Sequence, residues 1–457
     1  MNYSTLLIAV LIALGGAYLL GRNRARTLAS QGKSMHSLPT HYGALTALWT
    51  TLPPLLILLL WAMIEPRVID ALLTMQLPES IRSAGQADVQ LALSKVHNLA
   101  SGNNLLGESE LSPAAAHLND LQARMSMLKG GVIMALILLG AGLTWRRIHP
   151  ETRARGEVEQ IVRVLLFSSS AIAVLTTLGI LVSVLFEAVM FFQKVSPIEF
   201  LFGTSWSPQV ALRADQSGSS GSFGAVPLFT GTLLISAIAM SIAVPVGLMA
   251  AIYLSEYASN RVRQIAKPAL EILAGIPTVV YGFFAALTVA PFIRNAGEAA
   301  GLAVSSESAL AAGLVMGIMI IPFVSSLSDD VINAVPQSLR DGSYGLGATR
   351  SETVRQVVIP AALPGIVGAV MLAVSRAIGE TMIVAMAAGL AANLTANPLD
   401  SVTTVTVQIV TLLVGDQEFD SPKTLAAFAL GLVLFIVTLA LNYVALKIVQ
   451  KYREQYD

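Results

Sequence analysis

The chain has 457 residues, of which 54% are hydrophobic and 12% are charged, and its formal net charge is zero. Soluble domains carry about 25% charged residues, so this composition indicates a membrane protein surrounded by lipid. A neutral chain is atypical of nucleic-acid-binding proteins, and the absence of cysteine excludes disulfides, thiolate nucleophiles and cysteine metal ligands.

Histidine is confined to the first third of the chain, and none of the five lies beyond His149. Proton relays, metal sites and hydrolase triads that need imidazole are therefore disfavoured in the remaining two-thirds. The sequence also has no Gly-x-x-x-x-Gly-Lys-[Ser/Thr] loop for binding ATP phosphates. We predict that the chain is not an enzyme, and that it has no catalytic residue, no metal site and no cofactor of its own.

Nine apolar segments are long enough, or nearly so, to cross the hydrocarbon core of a bilayer, which takes roughly 20 helical residues. They are Tyr3–Leu20, Tyr42–Ile64, Gly130–Trp145, Ile161–Phe192, Val226–Leu254, Pro268–Ile293, Leu310–Val324, Ile366–Leu390 and Leu425–Ile448. Lys and Arg concentrate in alternate loops, which by the positive-inside rule predicts an N-terminus outside and a C-terminus in the cytoplasm.

The spans fall into two regions. Residues 1–150 hold three spans and a long external insert, 65–129, whose apolar residues recur at helical spacing and predict a small helical cap. Residues 151–457 hold the other six spans and a polar cytosolic loop, 328–365.

The eighth predicted span contains two charged residues, Arg376 and Glu380. Four positions apart, they are expected to share a helix face and to pair. A central Arg costs about 2.5–3.5 kcal/mol on insertion scales, so such residues face a bundle interior or a water-filled cavity. Two interpretations stay open: an ion pair that fixes helix register, or an anion site in which the Arg fork binds oxyanion oxygens, with hydroxyls from Ser375 and Thr381.

The polar segment Asp341–Pro364 predicts a helical hairpin between two spans. Gly347 suits the left-handed turn, and Thr349 with Glu352 has the spacing of a capping box. Pro360 and Pro364 are expected to end the second helix. An ordinary amphipathic connector remains the alternative.

This hairpin resembles the EAA loop of ABC importer permeases, which docks on the ATP-binding subunit. The resemblance lies in Asp341-Gly-Ser-x-x-x-Gly347, nine further residues and then Val357-x-Ile359-Pro360. The family pattern has Glu-Ala-Ala where this chain has Asp-Gly-Ser. Leu273–Ala286 and Ser375–Met382 are similar to the phosphate-specific permease of PstC type. The resemblance covers about residues 160–457, and residues 1–150 look like the N-terminal extension of longer variants.

The resemblance implies an all-α ABC importer type I permease core of six helices, preceded by three N-terminal transmembrane helices, in a bacterial cytoplasmic (inner) membrane. It implies that Asp341, Gly347, Ala348, Thr349 and Pro360 couple the chain to the ATPase, and that Arg376, Glu380, Ser375 and Thr381 lie on the substrate path. The implied partners are a PstA-type permease, two ATP-binding subunits that hold ATP and Mg, a periplasmic phosphate-binding protein and inorganic phosphate. Another oxyanion (sulfate, molybdate or phosphonate) or a phosphate-sensing scaffold remain alternatives.

Overall fold

The computed structural model describes residues 3–75, 77, 81, 86–100, 112–210, 220–414 and 421–453. Within these ranges, nine helices are long and apolar enough to cross a membrane, judged by length and composition. The all-α polytopic class and the number of spans agree with the sequence-based predictions. Contacts within the chain divide it into two compact units, Met1–Leu175 and Thr176–Asp457.

The first unit is a helical bundle. Its helices are α1 (Tyr3–Ser30), α2 (Pro39–Thr74), α3 (Gln86–Ala100), α4 (Ser112–Arg147) and the first half of α5 (Ala154–Lys194). The axes of α1 and α2 approach closely because Gly21 lies directly against Thr46 and the Tyr42 carbonyl, where no side chain would fit. The insert between α2 and α4 packs through Leu73, Val96 and other buried apolar residues.

The second unit holds the rest of α5 and all later elements. These are α6 (Pro197–Phe202), β1 (Trp206–Val210), β2 (Ser220–Phe223), α7 (Val226–Ile252), α8 (Asn260–Ala274), α9 (Thr278–Phe284), α10 (Ala290–Ala299), α11 (Ala309–Ala334), α12 (Gln337–Gly345), α13 (Arg350–Thr353), α14 (Ile359–Ile378), α15 (Met382–Ala387), α16 (Val405–Leu413) and α17 (Pro422–Arg453). The two strands pair antiparallel, with Trp206 opposite Phe223.

The centre of this unit is the contact between α7 and α11. Gly313 and Gly317 of α11 lie against Ile238 and Ala239 of α7, so the two backbones approach closely. Small and branched residues from α14 and α15 complete the same apolar cluster. Helix α11 is the most buried of the nine candidate spans.

Within the described part of this unit there are three π-helical turns: Tyr253–Tyr257 forms the end of the α7 helix, whereas Ala285–Val289 and Val354–Val358 lie within longer helical segments. The last of them directly precedes Ile359 and Pro360, and the Ile359 N–H bonds the Val354 carbonyl five residues back. The expectation that Pro360 and Pro364 end the helix is therefore wrong. The wider turn makes room for the Pro360 ring, and the helix continues through Pro364 to Ile378.

Two of the predicted spans are divided by breaks in the helix. The sixth, Pro268–Ile293, is divided by a break at residues 275–277, and the apolar helical segment is Thr278–Ala299. The Tyr281 hydroxyl bridges this break by donating to the Leu273 carbonyl at 2.9 Å. The eighth, Ile366–Leu390, is also divided, and the apolar segment is Arg350–Ile378. The hydropathy of a long segment averages over a short break, so each of these two predicted spans continued across one.

Candidate functional site

A helix ends where the sequence predicted an uninterrupted span. Helix α14 stops at Ile378, with Gly379 as its C-cap. Glu380 lies beyond this end and its Oε1 accepts hydrogen bonds from the Met382 and Ile383 N–H groups, at 3.1 and 3.4 Å. The expected pairing of Arg376 with Glu380 on one helix face is therefore wrong, because the four-residue spacing crosses a helix terminus. Glu380 instead caps the start of α15.

Arg376 lies on the last turn of α14 and its side chain is exposed. Its guanidinium carbon is 5.8 Å from the centroid of the Phe323 ring, and among the described residues it has no ion-pair partner. Ser375 donates to Asn442 of α17 at 2.8 Å, and Thr381 donates weakly to the Gly379 carbonyl at 3.4 Å. The four predicted path residues thus surround one break, and Arg376 alone among them keeps its donors available.

The chain beyond the break returns through a polar region. The buried Gln408 accepts a hydrogen bond from the Trp206 indole at 3.0 Å and donates to the Leu390 carbonyl at 3.1 Å. Thr406 donates to the Glu380 carbonyl at 2.9 Å. This network was not predicted from the sequence. Its available signal was a glutamine within the apolar run of α16, where an unpaired amide would be costly.

The two broken segments contact each other. Gly282 of α9 lies so close to α15 that a Cβ there would be 2.7 Å from the Met386 sulfur and 3.2 Å from the Met382 carbonyl. Each short helix follows directly on a break. Broken helices that meet within a bundle are typical of transporter sites, where irregular backbone is tolerated because it lines a cavity.

The hairpin has the predicted turn geometry. Gly347 has φ +89°, and the Thr349 N–H donates to Glu352 Oε2 at 2.8 Å while the Glu352 N–H donates to Thr349 Oγ1 at 3.4 Å. Asp341 accepts from Gln337 at 3.0 Å. Ala348 closes the turn with its N–H on the Ser343 carbonyl at 3.2 Å. Pro360 lies in the first turn of α14, away from the hairpin tip.

A buried ion pair fixes the hairpin to the bundle. Arg340 donates to Glu256 at 2.9 Å and to the Ile332 carbonyl at 2.8 Å, and it also donates to the Val335 carbonyl. Both charged side chains are at least nine-tenths buried. In the sequence, Arg340 is only one of the basic residues of the loop 328–365. Its partner is 84 residues away, so no local pattern indicates the pair.

A second charged cluster lies on α8 and α11. Arg263 donates to both Asp329 oxygens at 3.2 Å, and Lys267 donates to Asp329 at 3.0 Å. The hydrogen bond from Lys267 to Asp329 raises the pKa of the lysine above its ordinary value, so this ammonium stays charged at neutral pH. A cavity of about 220 Å³ lies beside the cluster. This cluster was not predicted from the sequence either.

Family models place the chain among membrane components of transport systems. Residues 243–454 match the model described as "binding-protein-dependent transport system inner membrane component", and residues 7–176 match one described as "phosphate ATP-binding cassette transporter". With nine candidate spans, these matches define the class: a multi-pass permease component of an ABC transport system.

Curated relatives define the family. The chain is 34% identical over 283 residues to "phosphate transport system permease protein PstC 1" of Mycobacterium bovis, covering 56% of this chain and 83% of that protein. It is also 34% identical over 244 residues to "probable ABC transporter permease protein YqgH" of Bacillus subtilis, covering 53% and 75%. A PstC of Haemophilus influenzae is 37% identical, and the chain spans about half of it, 53%. The chain belongs to the PstC-type family of phosphate transport system permeases, with an N-terminal extension.

Similarity to solved structures is lower. The methionine ABC transporter MetNI, in inward-facing conformations, aligns with a TM-score of 0.37 and 18% identity, covering 50% of this chain and 94% of the other. An amino acid ABC transporter aligns with a TM-score of 0.33 and 18% identity, covering 50% and 94%. The family assignment therefore rests on the sequence matches.

Proposed function

We propose that this chain forms the anion translocation path of an ATP-driven importer of inorganic phosphate, and that it couples this path to a separate ATP-binding subunit. The observation that carries the proposal is Arg376, an exposed guanidinium on the last turn of α14, immediately before the helix breaks at Gly379. Arg presents a planar fork of donors that matches phosphate oxygens. The family relationship supports phosphate as the substrate.

The coupling part of the proposal rests on continuity of the backbone. The hairpin of α12 and α13 leads through the π-helical turn into α14, so one helical segment joins Gly347 to Arg376. The tip residue Leu346 is 91% exposed, which suits a surface that a partner covers. Gly347, Ala348 and Thr349 lie at this tip, Asp341 lies within α12, and Pro360 lies within the connecting helix. In this proposal, closure of the ATP-binding subunits displaces the hairpin and moves Arg376.

The proposed assembly contains this chain, a PstA-type permease, two ATP-binding subunits that bind ATP and Mg, and a periplasmic phosphate-binding protein. In this proposal the chain lies in a bacterial inner membrane, with its N-terminus outside and its hairpin and C-terminus in the cytoplasm. The orientation follows from the short loops on the hairpin side of the membrane, which carry the excess of Lys and Arg.

Uptake by the purified assembly in proteoliposomes tests this function. ATP is enclosed, and labelled phosphate is added outside with the binding protein. We expect ATP-dependent accumulation that unlabelled phosphate suppresses and that sulfate, molybdate and phosphonate do not. If one of those anions suppressed accumulation at a lower concentration than unlabelled phosphate does, that anion would be the transported substrate. An assembled complex that binds phosphate without accumulating it would indicate a sensing scaffold.

A further inference from the structure

Two basic residues of α8 share one buried carboxylate, and Lys267 also contacts the exposed Asp330 at 3.4 Å. Asp329 is only 3% exposed, and it accepts from Arg263 at 3.2 Å and from Lys267 at 3.0 Å. The side chains of Arg263 and Lys267 remain 34% and 35% exposed. Each base therefore has one side on the carboxylate and another side open. The Asp329 carboxylate therefore occupies the position at these donors that an oxyanion ligand would take.

The open side of the basic pair faces a small cavity. The cavity has a volume of about 220 Å³ and is lined by Arg263, Lys267, Phe323, Ser325 and Ser326, among others. Its volume is roughly that of seven liquid waters, enough for a tetrahedral oxyanion and part of its hydration shell. Ser325 is buried at the wall of this cavity (1% exposed).

The donors of the cavity suit an oxyanion that must also leave. A guanidinium and an ammonium give charge-assisted hydrogen bonds to oxyanion oxygens, and the two serine hydroxyls add neutral donors. The carboxylates of Asp329 and Glu271 also line the cavity, so its formal charges sum to zero. Balanced charge weakens the binding of an anion, as a transient site on a transport path requires.

The position of the cavity links the substrate path to the hairpin. Phe323 lines the cavity, and its ring is also the neighbour of Arg376, at 5.8 Å. One turn beyond Asp329 on α11, the Ile332 carbonyl accepts from Arg340, which anchors the hairpin. The basic pair therefore lies on the hairpin side of Arg376, where the anion would leave.

We propose that Arg263 and Lys267 form a second oxyanion site on the release side of the path, at which the transported anion competes with the Asp329 carboxylate. This inference rests on the proposed function. The competing interpretation is an ion bridge that only fixes α8 against α11. The two differ in one respect: removing the acid and removing the bases break the same bridge but have opposite effects on an anion site.

Inhibition of uptake by lumenal phosphate distinguishes them. The assembled importer is reconstituted with ATP and graded unlabelled phosphate inside the vesicles, and initial uptake of labelled phosphate is measured. Asp329→Asn frees Arg263 and leaves Lys267 only the exposed Asp330, at 3.4 Å, so half-inhibition is expected at about tenfold lower lumenal phosphate, the value of one charge-assisted hydrogen bond. The pair Arg263→Gln with Lys267→Gln is expected to raise that concentration about tenfold or more. Shifts in the same direction, or none, would overturn the site.

Two further variants make the test independent of the bridge. Ser325→Ala leaves the bridge in place and is expected to raise the half-inhibiting concentration several-fold, whereas a purely structural bridge predicts no change. Arg261→Gln, an exposed position on the same helix, is the matched control and should behave as wild type. Failure of the wild-type complex to take up phosphate would refute the proposed function itself. Normal wild-type uptake with an unaltered Ser325→Ala response would refute only the release site.

Discussion

Arg376 and Glu380 show how one residue's environment depends on where its helix ends. Arg376 still belongs to the last turn of α14, whereas Glu380 follows the C-cap and accepts hydrogen bonds from the first N–H groups of α15. An acid at a helix N-terminus is favourable because it satisfies unpaired donors and faces the positive end of the helix dipole. The glutamate therefore stabilises the break, and the arginine side chain remains exposed.

The ion pair of Arg340 and Glu256 predicts a large effect of removing one charge. Arg340→Met leaves the Glu256 carboxylate buried without a partner, which costs about 3–5 kcal/mol. We expect a lower unfolding temperature of the purified complex and weaker stimulation of ATP hydrolysis by the loaded binding protein. The double change Arg340→Met with Glu256→Leu removes both charges and should recover most of the lost stability. Equal destabilisation by the single and double changes would contradict the role of the pair.

Gly347 predicts a strictly conformational effect. Its φ of +89° costs a residue with a Cβ roughly 1–2 kcal/mol, yet no atom lies within 4 Å of a Cβ built there. Gly347→Ala should therefore destabilise the hairpin without a clash, seen as faster amide exchange over α12 and α13. Gly345→Ala is the matched control, because its Cβ site is equally open and its φ is not positive. Equal amide exchange in the two variants would show that the positive φ at position 347 does not strain an alanine there.

At the scale of elements, the predictable features were those with local signals. The nine spans follow from apolar length, and the hairpin turn follows from Gly347 and the Thr349–Glu352 spacing. The breaks at residues 275–277 and 379–381 were not predicted, because each is only three residues long and the hydropathy of a whole span averages over it. The proline stop was wrong because a π-helical turn precedes Pro360, and its formation depends on packing of Val354 and Val358, which are both buried.

The contact between α9 and α15 predicts sensitivity at Gly282. A Cβ there meets the Met386 sulfur at 2.7 Å, so Gly282→Val must push the two broken helices apart and is expected to lower the phosphate uptake rate at least several-fold. Met386→Ala in the same chain removes the clashing sulfur and should restore part of the rate. Gly431→Ala, with nothing within 4 Å, should leave uptake unchanged. A normal rate for Gly282→Val would show that this contact does not matter for transport.

At the scale of the whole molecule, long-range polar contacts are what sequence reasoning could not supply. Glu256 with Arg340, Asp329 with Arg263, and Trp206 with Gln408 join residues 66 to 202 positions apart. Their partners depend on how the helices pack, which no local spacing encodes. The phosphate assignment came instead from several short motifs taken together, and the family matches agree with it.

The first unit has a buried charge pair of its own. Lys129 bonds Glu65 at 2.7 Å, with only 4% and 12% of the two side chains exposed, and Tyr3 donates to the same carboxylate. Lys129→Met should destabilise this unit by about 3–5 kcal/mol, measured as earlier thermal unfolding. Uptake at low temperature should persist, because the proposed path lies in the second unit. Arg124→Gln, in an exposed pair with Asp120, is the control and should change neither the unfolding temperature nor uptake. Lost uptake in folded Lys129→Met would place the first unit on the path.

The most direct test of the central claim is labelled-phosphate uptake by assembled complexes that differ only at Arg376. Arg376→Gln removes the charge that the proposed path uses, and we expect uptake to fall to the level seen without ATP while subunit assembly is unchanged. Arg294→Gln is the control, because Arg294 is in an exposed pair with Glu298 at 3.9 Å, a contact of little energetic weight. Loss of uptake in the first variant and normal uptake in the second is the expected result. Undiminished uptake by an assembled Arg376→Gln complex would contradict the anion path described for this chain.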